Sequence, residues 1–406
     1  MKSICILGRQ PKLGLAELES LYGPKHIQAL PGAALLDIEA GDINFTKLGG
    51  TIKVARILAV LPGNSWRDIE KYLSDKVPEN LSQAPAGKFT LGLSVYGYDV
   101  KPQEINASLL KLKTAVKGSG RPVRVVPNKT PALSSAQVLH NKLTSRGGWE
   151  LLVVADGRQT ILAQTMFVQD IEGYASRDQA RPKRDARVGM LPPKLAQIIV
   201  NLAAGQIGYS PLANRISPNA KHQKPYTILD PFCGTGVIMQ EAVLMGYKAV
   251  GTDIDARMVE YSETNLDWLI SELRIEDSEF SVSQADATNY KWDYEIDAVA
   301  SETYLGRPLA KLPAPTELDK IVNDVNTIIK KFLKNIHPQL KSSTPLCLAV
   351  PAWQTAPGRF KSLPALDKLT DMGYSMAKLK YTSSNELIYY RPNQIVARKL
   401  IVLERS

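Results

Sequence analysis

The stretch Asp230-Pro-Phe-Cys-Gly-Thr-Gly-Val-Ile238, answered downstream by Gly251-Thr-Asp-Ile-Asp255, decides how this 406-residue chain is read. The apolar residues of Tyr226–Asp230 read as a buried strand and Val237–Met245 as the helix after it. The glycine-rich turn therefore sits at a strand's carboxyl end. Gly234 and Gly236 lack a Cβ, so the turn tolerates left-handed backbone and lets a ligand approach closely. Lys248–Ile254 reads as the next strand, and Asp253 near its end is placed to accept from the two hydroxyls of a ribose. A nucleoside is the expected ligand. A nicotinamide dinucleotide is disfavoured, because that fingerprint needs a third glycine or alanine where this chain has Met239.

Length predicts two or three domains. No apolar stretch reaches the length of a membrane span, and Ile4–Leu7 is too short for a signal-peptide core, so a soluble, cytoplasmic protein is expected. Cys5, Cys233 and Cys347 have neither metal-ligand nor disulfide spacing, and His26, His140, His222 and His337 do not cluster with them. No metal site is expected. The net charge of +10 is uneven: residues 1–190 hold 26 Lys and Arg against 17 Asp and Glu, whereas residues 191–406 hold 24 against 23. A basic first half beside a nearly neutral second half points to a grip on a polyanion.

Strand and helix patterns alternate through the first half. Ser3–Leu7, Ala33–Ile38 and Lys53–Val60 read as strands, with a helix over Leu13–Tyr22. A second set follows: strand Phe89–Tyr96, helix Ile105–Val116, strand Val123–Val126, helix Ser134–Leu143, and strands through Glu150–Phe167. Two small α+β subdomains, residues 1–80 and 81–168, fit this better than one large sheet. Residues 169–190 read as a basic connector and 191–406 as an α/β domain. Lys113, Lys117, Arg121, Arg124 and Lys129, with Arg181, Lys183 and Arg184 of the connector, are the candidate contacts to the phosphates of such a polyanion.

Asp230-Pro-Phe-Cys-Gly-Thr-Gly236 resembles motif I of the S-adenosylmethionine-dependent methyltransferases, in the version found in RNA and DNA amino-methyltransferases. The resemblance implies a cofactor site built from Asp230, Phe232, Gly234, Gly236, Asp253, Ile254, Asp286 and Ala287, with Asp286 accepting from the adenine amine. The set 81–168, with Leu133-Ser-Ser-Ala-Gln-Val-Leu-His-Asn-Lys-Leu143, resembles a THUMP domain, an RNA-binding module. Arg181-Pro-Lys-Arg-Asp-Ala-Arg-Val-Gly-Met-Leu-Pro-Pro-Lys-Leu195 resembles the segment before motif I in the archaeal tRNA guanine-N2 methyltransferases and their Trm-eleven-like relatives. In that family order, the chain is expected to be α/β: a Rossmann-like, seven-stranded class I domain with an antiparallel edge, preceded by a ferredoxin-like plus THUMP-like α+β region. S-adenosylmethionine is the implied cofactor and tRNA the implied partner. A protein partner subunit is left open.

The resemblance breaks at one loop. The family carries Asp/Asn-Pro-Pro-Tyr after the fourth strand, and this chain reads Ser301-Glu-Thr-Tyr-Leu-Gly-Arg-Pro308, keeping only the aromatic, Tyr304. An exocyclic amine is a poor nucleophile until acceptors on its hydrogens orient its lone pair. Ser301 and Glu302 are the candidate acceptors, and Tyr304 the platform for an extracted base. Three functions remain open at this point: a guanine-N2 methyltransferase acting on tRNA, an RNA-binding protein that lost turnover at this loop, and an amino-methyltransferase of ribosomal RNA or DNA adenine.

Overall fold

The computed structural model describes residues 1–81, 84–185, 190–205, 225–276, 278–391 and 394–406. They fall into two compact units: Met1–Pro11, Lys25–Thr46 and Thr51–Ile171 in the first, and Lys12–Pro24, Lys47–Gly50 and Glu172–Ser406 in the second. The first helix, α1 (Pro11–Tyr22), therefore belongs almost entirely to the second unit.

The first unit is one sheet. Strands β1 (Ser3–Leu7), β2 (Ile27–Leu30), β3 (Ala33–Leu36), β4 (Thr51–Pro62), β5 (Phe89–Tyr96), β6 (Val123–Val125), β7 (Gly148–Ala155) and β8 (Gln159–Val168) lie in the order β2-β3-β1-β4-β8-β7-β5-β6. The expectation of two small modules is corrected here. The long strand β4 pairs with β1 on one side and β8 on the other, fusing both sets into eight strands. Helices α2 (Trp66–Leu81) and α3 (Pro102–Gly118) cover one face. Ile69, Leu73, Val77 and Leu81 of α2 join Ile105, Leu109, Leu112 and Val116 of α3 over Leu91, Leu93, Leu151 and Val153. A short helix, α4 (Ser135–His140), starts at a capping box in which Ser134 and Gln137 satisfy each other's backbone donors. Lys53 and Glu150 are buried as a pair, and Glu150 also accepts from Ser94 (2.6 Å) and Thr165 (2.7 Å). Such satisfaction is what makes a buried charge tolerable.

After α5 (Ile171–Ala175), the second unit continues with α6 (Pro193–Ala204), β9 (Thr227–Asp230), α7 (Val237–Leu244), β10 (Lys248–Asp253), α8 (Ala256–Leu273), β11 (Phe280–Gln284), β12 (Ala298–Glu302) and α9 (Pro315–Ile336). Then come β13 (Pro345–Ala356), β14 (Arg359–Lys361), β15 (Tyr374–Met376), β16 (Ile388–Tyr389) and β17 (Val396–Arg405). The sheet runs β11-β10-β9-β12-β13-β17-β15, parallel from β11 to β13 and antiparallel where β17 enters. The expected antiparallel edge is present, β17 pairing with β13, β15 and β16, but the three-residue strand β15 had no period long enough to read. Between β14 and β15 the chain makes two 3-10 turns, Pro364–Lys368 and Thr370–Met372, closed by left-handed Gly373. Helix α9 buries Leu318, Val322, Val325, Ile329, Phe332 and Ile336, a stripe at helical spacing.

Helix α1 packs Leu13 and Ala16 into the same core as Leu195, Ile199 and Leu202 of α6. Glu17 is fully buried and accepts from Gly49 N (2.9 Å), Gly50 N (2.8 Å) and Asn201 Nδ2 (2.7 Å). A Cβ on Gly50 would lie 2.3 Å from Gly14 Cα, so the chain at 47–50 can lie against α1 only as glycine. Glu19, also buried, accepts from the backbone of Lys380 and Tyr381. The helical period of residues 13–22 was legible in sequence; the unit it would join was not.

Candidate active site

In an open α/β sheet the chain reverses strand order at one point, and the crevice there receives ligands at the strands' carboxyl ends. In this chain the reversal falls between β9 and β12. A cleft of about 720 Å³ opens at this point, lined by Asp230, Phe232, Gly234, Asp253, Ile254, Asp286, Ala287, Glu302 and Tyr304 among others.

The turn after β9 is held from below. Gly236 has φ +80° and an added Cβ would approach Ser262 at 3.1–3.2 Å, so it opens α7 where a side chain would strain the turn. Gly234, at φ 52°, donates its N–H to Asp253 Oδ2 (2.9 Å), while Asp255 N donates to Asp253 Oδ1 (3.0 Å). Both oxygens of Asp253 keep lone pairs for a ribose. Burial pushes this carboxyl up from its ordinary range. Ile254, beside it, is 67% exposed, an unusual position for a large aliphatic side chain. Ala285, Asp286 and Ala287, consecutive in the chain, line the same cleft. Asp286 Oδ1 accepts from Thr288 N (2.9 Å). Asp253 and Asp286 thus present two acceptors in one cleft beside apolar side chains, a set that residue chemistry makes compatible with an adenosine group.

Asp230 is buried and accepts from Ser301 Oγ (2.6 Å) and Phe232 N (3.3 Å). Burial raises its carboxyl to about 7, with the two hydrogen bonds opposing. Ser301 is itself fully buried, so its hydroxyl is spent on Asp230 and does not line the cleft. Glu302 does line it, but carries a partner that sequence reading missed: Arg398 Nε of β17 donates to Glu302 Oε1. Burial raises the Glu302 carboxyl above its ordinary range, and Arg398 opposes that rise in part. The signal for Arg398 was present in the sequence. It is a charge with the same strand parity as inward-facing Leu400 and Val402. Tyr304 is 45% exposed at the cleft, and Arg307 pairs with Glu317.

The candidate RNA contacts separate. Lys117, Arg124 and Lys129 are exposed and Lys113 is half-buried. Arg121 instead donates to the carbonyls of Leu81, Ala84 and Pro85 and lies over the Phe89 ring, closing the segment between α2 and β5. Arg181 is only 3% exposed, which removes it from any phosphate-facing surface of its unit. The described connector residues of the second unit, 172–185, are docked on that unit. Arg177 pairs with buried Glu241 (2.7 Å), and Lys183 exchanges backbone bonds with Asn265 of α8 (2.9 Å each). Lys183 also lies over Tyr261, and Arg184 is exposed. Arg187, Gly189 and His222 lie outside the described residues. Among the described residues no group of His, Cys, Asp and Glu is arranged to hold a metal, and Cys5, Cys233 and Cys347 are buried and outside any disulfide.

Residues 209–352 match the family model described as UPF0020: RMKL-like, methyltransferase domain. The tRNA (guanine(10)-N2)-dimethyltransferase of Methanothermobacter thermautotrophicus is 32% identical over 176 residues, 43% of this chain and 43% of that protein. The protein of that name from Methanocaldococcus jannaschii is 29% identical over 184 residues, 43% of this chain and 46% of its own. The chain thus spans less than half the length of these curated relatives. The crystal structure of TrmN from Thermus thermophilus aligns over 100% of both chains with a TM-score of 0.52 at 16% identity, a likeness of fold. In fold, the mostly parallel sheet of the second unit is like that of a class I methyltransferase.

Proposed function

We propose that this protein transfers the methyl group of S-adenosylmethionine to the exocyclic N2 amine of a guanine in tRNA. The observation that carries the reading is the single cleft in which the adenosine-binding set, Asp253, Ile254 and Asp286, meets an acceptor and an aromatic, Glu302 and Tyr304. The cofactor supplies a methyl group on a positively charged sulfur. Every other element of the chemistry falls to the chain's own residues. Tyr304 stacks on the extracted base. Glu302 accepts from the amine, so that its lone pair points along the line of attack. The amine nitrogen forms its bond to the methyl carbon as the carbon–sulfur bond breaks. The proton shed by the methylated amine is taken at Glu302. Asp230, held by Ser301, shapes the floor beneath the reacting groups.

RNA is held by the first unit, whose exposed Lys117, Arg124 and Lys129 support phosphate contacts that position a substrate without reading it. The guanine at position 10 is the first to test, because that is the base in the relatives' names. Mass spectrometry of tRNA nucleosides from cells with and without this protein is the experiment. The reading expects N2-methylated guanosine to disappear with the protein. Unchanged tRNA beside intact RNA binding would favour a binding protein without turnover. Loss of a methylated adenosine would redirect the assignment to another amine.

A further inference from the structure

Strands β12, β13 and β17 lie side by side, with Glu302 opposite Ala349 and Ala349 opposite Leu400. Side chains two residues apart on a strand share a face, so Arg398 stands on the same face as Glu302. Only the methyl of Ala349 and the ring of Pro351, which is opposite Arg398, lie on the strand between them. A guanidinium can therefore reach across β13, and it does, with side chains 6% and 15% exposed. Most of that face is apolar, with Ala298, Ala300, Cys347, Leu400 and Val402, and its other buried acid is Asp230 at the end of β9, close enough to Glu302 for the two carboxyls to interact. An ionised pair at the cleft end of a mostly apolar face is costly, and breaking it would leave one buried charge unpaired.

We propose that Arg398 is a positioning residue that keeps Glu302 an oriented carboxylate, and that this carboxylate selects guanine by the donor beside its amine. The inference rests on the methyl-transfer reading above. An ionised carboxylate offers acceptors only, and the oxygen bound by Arg398 retains a second lone pair. Guanine presents two adjacent donors on one edge, N1–H and the N2 amine, and both can be matched. Adenine presents an amine beside a bare ring nitrogen, which would face a second acceptor and leave two lone pairs opposed. A site built to hydrogen-bond a donor rejects an analogue that lacks it. The pair thus supplies, from a strand 96 residues away, what the altered loop has lost.

The test compares a tRNA transcript carrying guanosine at position 10 with the same RNA carrying 2-aminopurine there. The analogue keeps the amine that accepts the methyl group but has a bare nitrogen in place of N1–H. Wild type should methylate the analogue about 10–100-fold more slowly in single turnover. Glu302→Gln offers one acceptor and one donor, so it should slow guanosine and narrow or reverse that ratio. Arg398→Gln should also narrow the ratio, Arg398→Lys should recover part of it, and the double variant should be no worse than either glutamine variant. S-adenosylhomocysteine binding by calorimetry reports folding. If Arg398→Gln fails to bind it, the ratio in Arg398→Lys decides. Equal rates on both RNAs by wild type, or an Arg398 variant that slows both by one factor, overturns this inference while leaving the proposed function standing. A wild type inactive on every guanosine-bearing tRNA overturns both.

Discussion

Replacing Glu17 with alanine should destabilise the second unit, although the residue lies more than two hundred positions before the turn that starts at Asp230. Its carboxyl is the acceptor for two backbone N–H groups, Gly49 and Gly50, and for the side chain of Asn201. Asn201 keeps a second acceptor in Lys47 O (2.7 Å), but the two glycine donors have no replacement within reach of an alanine. A buried donor stripped of its partner costs about 1–3 kcal/mol, so the pair predicts a loss of roughly 2–6 kcal/mol. Against a typical total of about 5–15 kcal/mol, that is a large fraction. Each kcal/mol moves the Tm of a domain this size by about 2–4 °C, so a fall of at least about 4 °C is expected. Hydrogen exchange in β13 and β17 should accelerate with it, because α1 shares a core with α6 and with Ala349 and Leu400 of those strands. A loss below about 0.5 kcal/mol, within the range of ordinary surface substitutions, or faster exchange confined to α1, would refute the claim that this helix is part of the unit. The same reasoning predicts that a fragment starting at residue 172 folds poorly.

Three other outcomes are expected. Asp253→Ala should weaken S-adenosylhomocysteine binding by about 1.5–3 kcal/mol for each charge-assisted bond lost, read by calorimetry; unchanged affinity would move the ribose elsewhere. Neutralising Lys117, Arg124 and Lys129 together should flatten the salt dependence of tRNA binding by about 0.7–0.9 in logarithmic slope per phosphate contact removed. Arg181→Gln should change stability and leave that slope alone, and the reverse pattern would contradict the placement of both. Burial raises Glu17, Asp230 and Glu241 to about 7 from ordinary values of 4.5, 3.8 and 4.5. The folded chain then holds protons that the unfolded chain releases. Their contribution is whole below about pH 4 and is lost as pH rises through 7. Urea unfolding should show lower stability at pH 8 than at pH 5 from these groups, a difference that Glu241→Gln reduces.

What was legible in the sequence was what depends on neighbours in the chain. The turn from Asp230 to Gly236 announces itself because a strand, two glycines and a helix start within nine residues, and Asp253 and Asp286 close the next two strands of the parallel sheet. What was not legible depends on register and long-range docking. Glu302 and Arg398 meet only because β17 enters antiparallel beside β13 and places Arg398 opposite Pro351. The burial of Arg181 and the anchoring of Arg177 on Glu241 were hidden for the same reason, since a run of basic residues reads as solvated until the surface beneath it is known. The single large sheet of the first unit was missed because β4 extends to Pro62 and pairs on both edges, a property of its partners rather than of its composition.

The most direct test of the central claim is a reconstituted reaction. The full chain is mixed in excess with an unmodified tRNA transcript and S-adenosylmethionine carrying an isotopically labelled methyl group, and the RNA is digested to nucleosides for mass spectrometry. The account predicts label in N2-methylguanosine, abolished when the position-10 guanosine is replaced by inosine, which lacks the amine. Label in a methylated adenosine, or no label in any nucleoside while S-adenosylhomocysteine still binds the cleft, would contradict it.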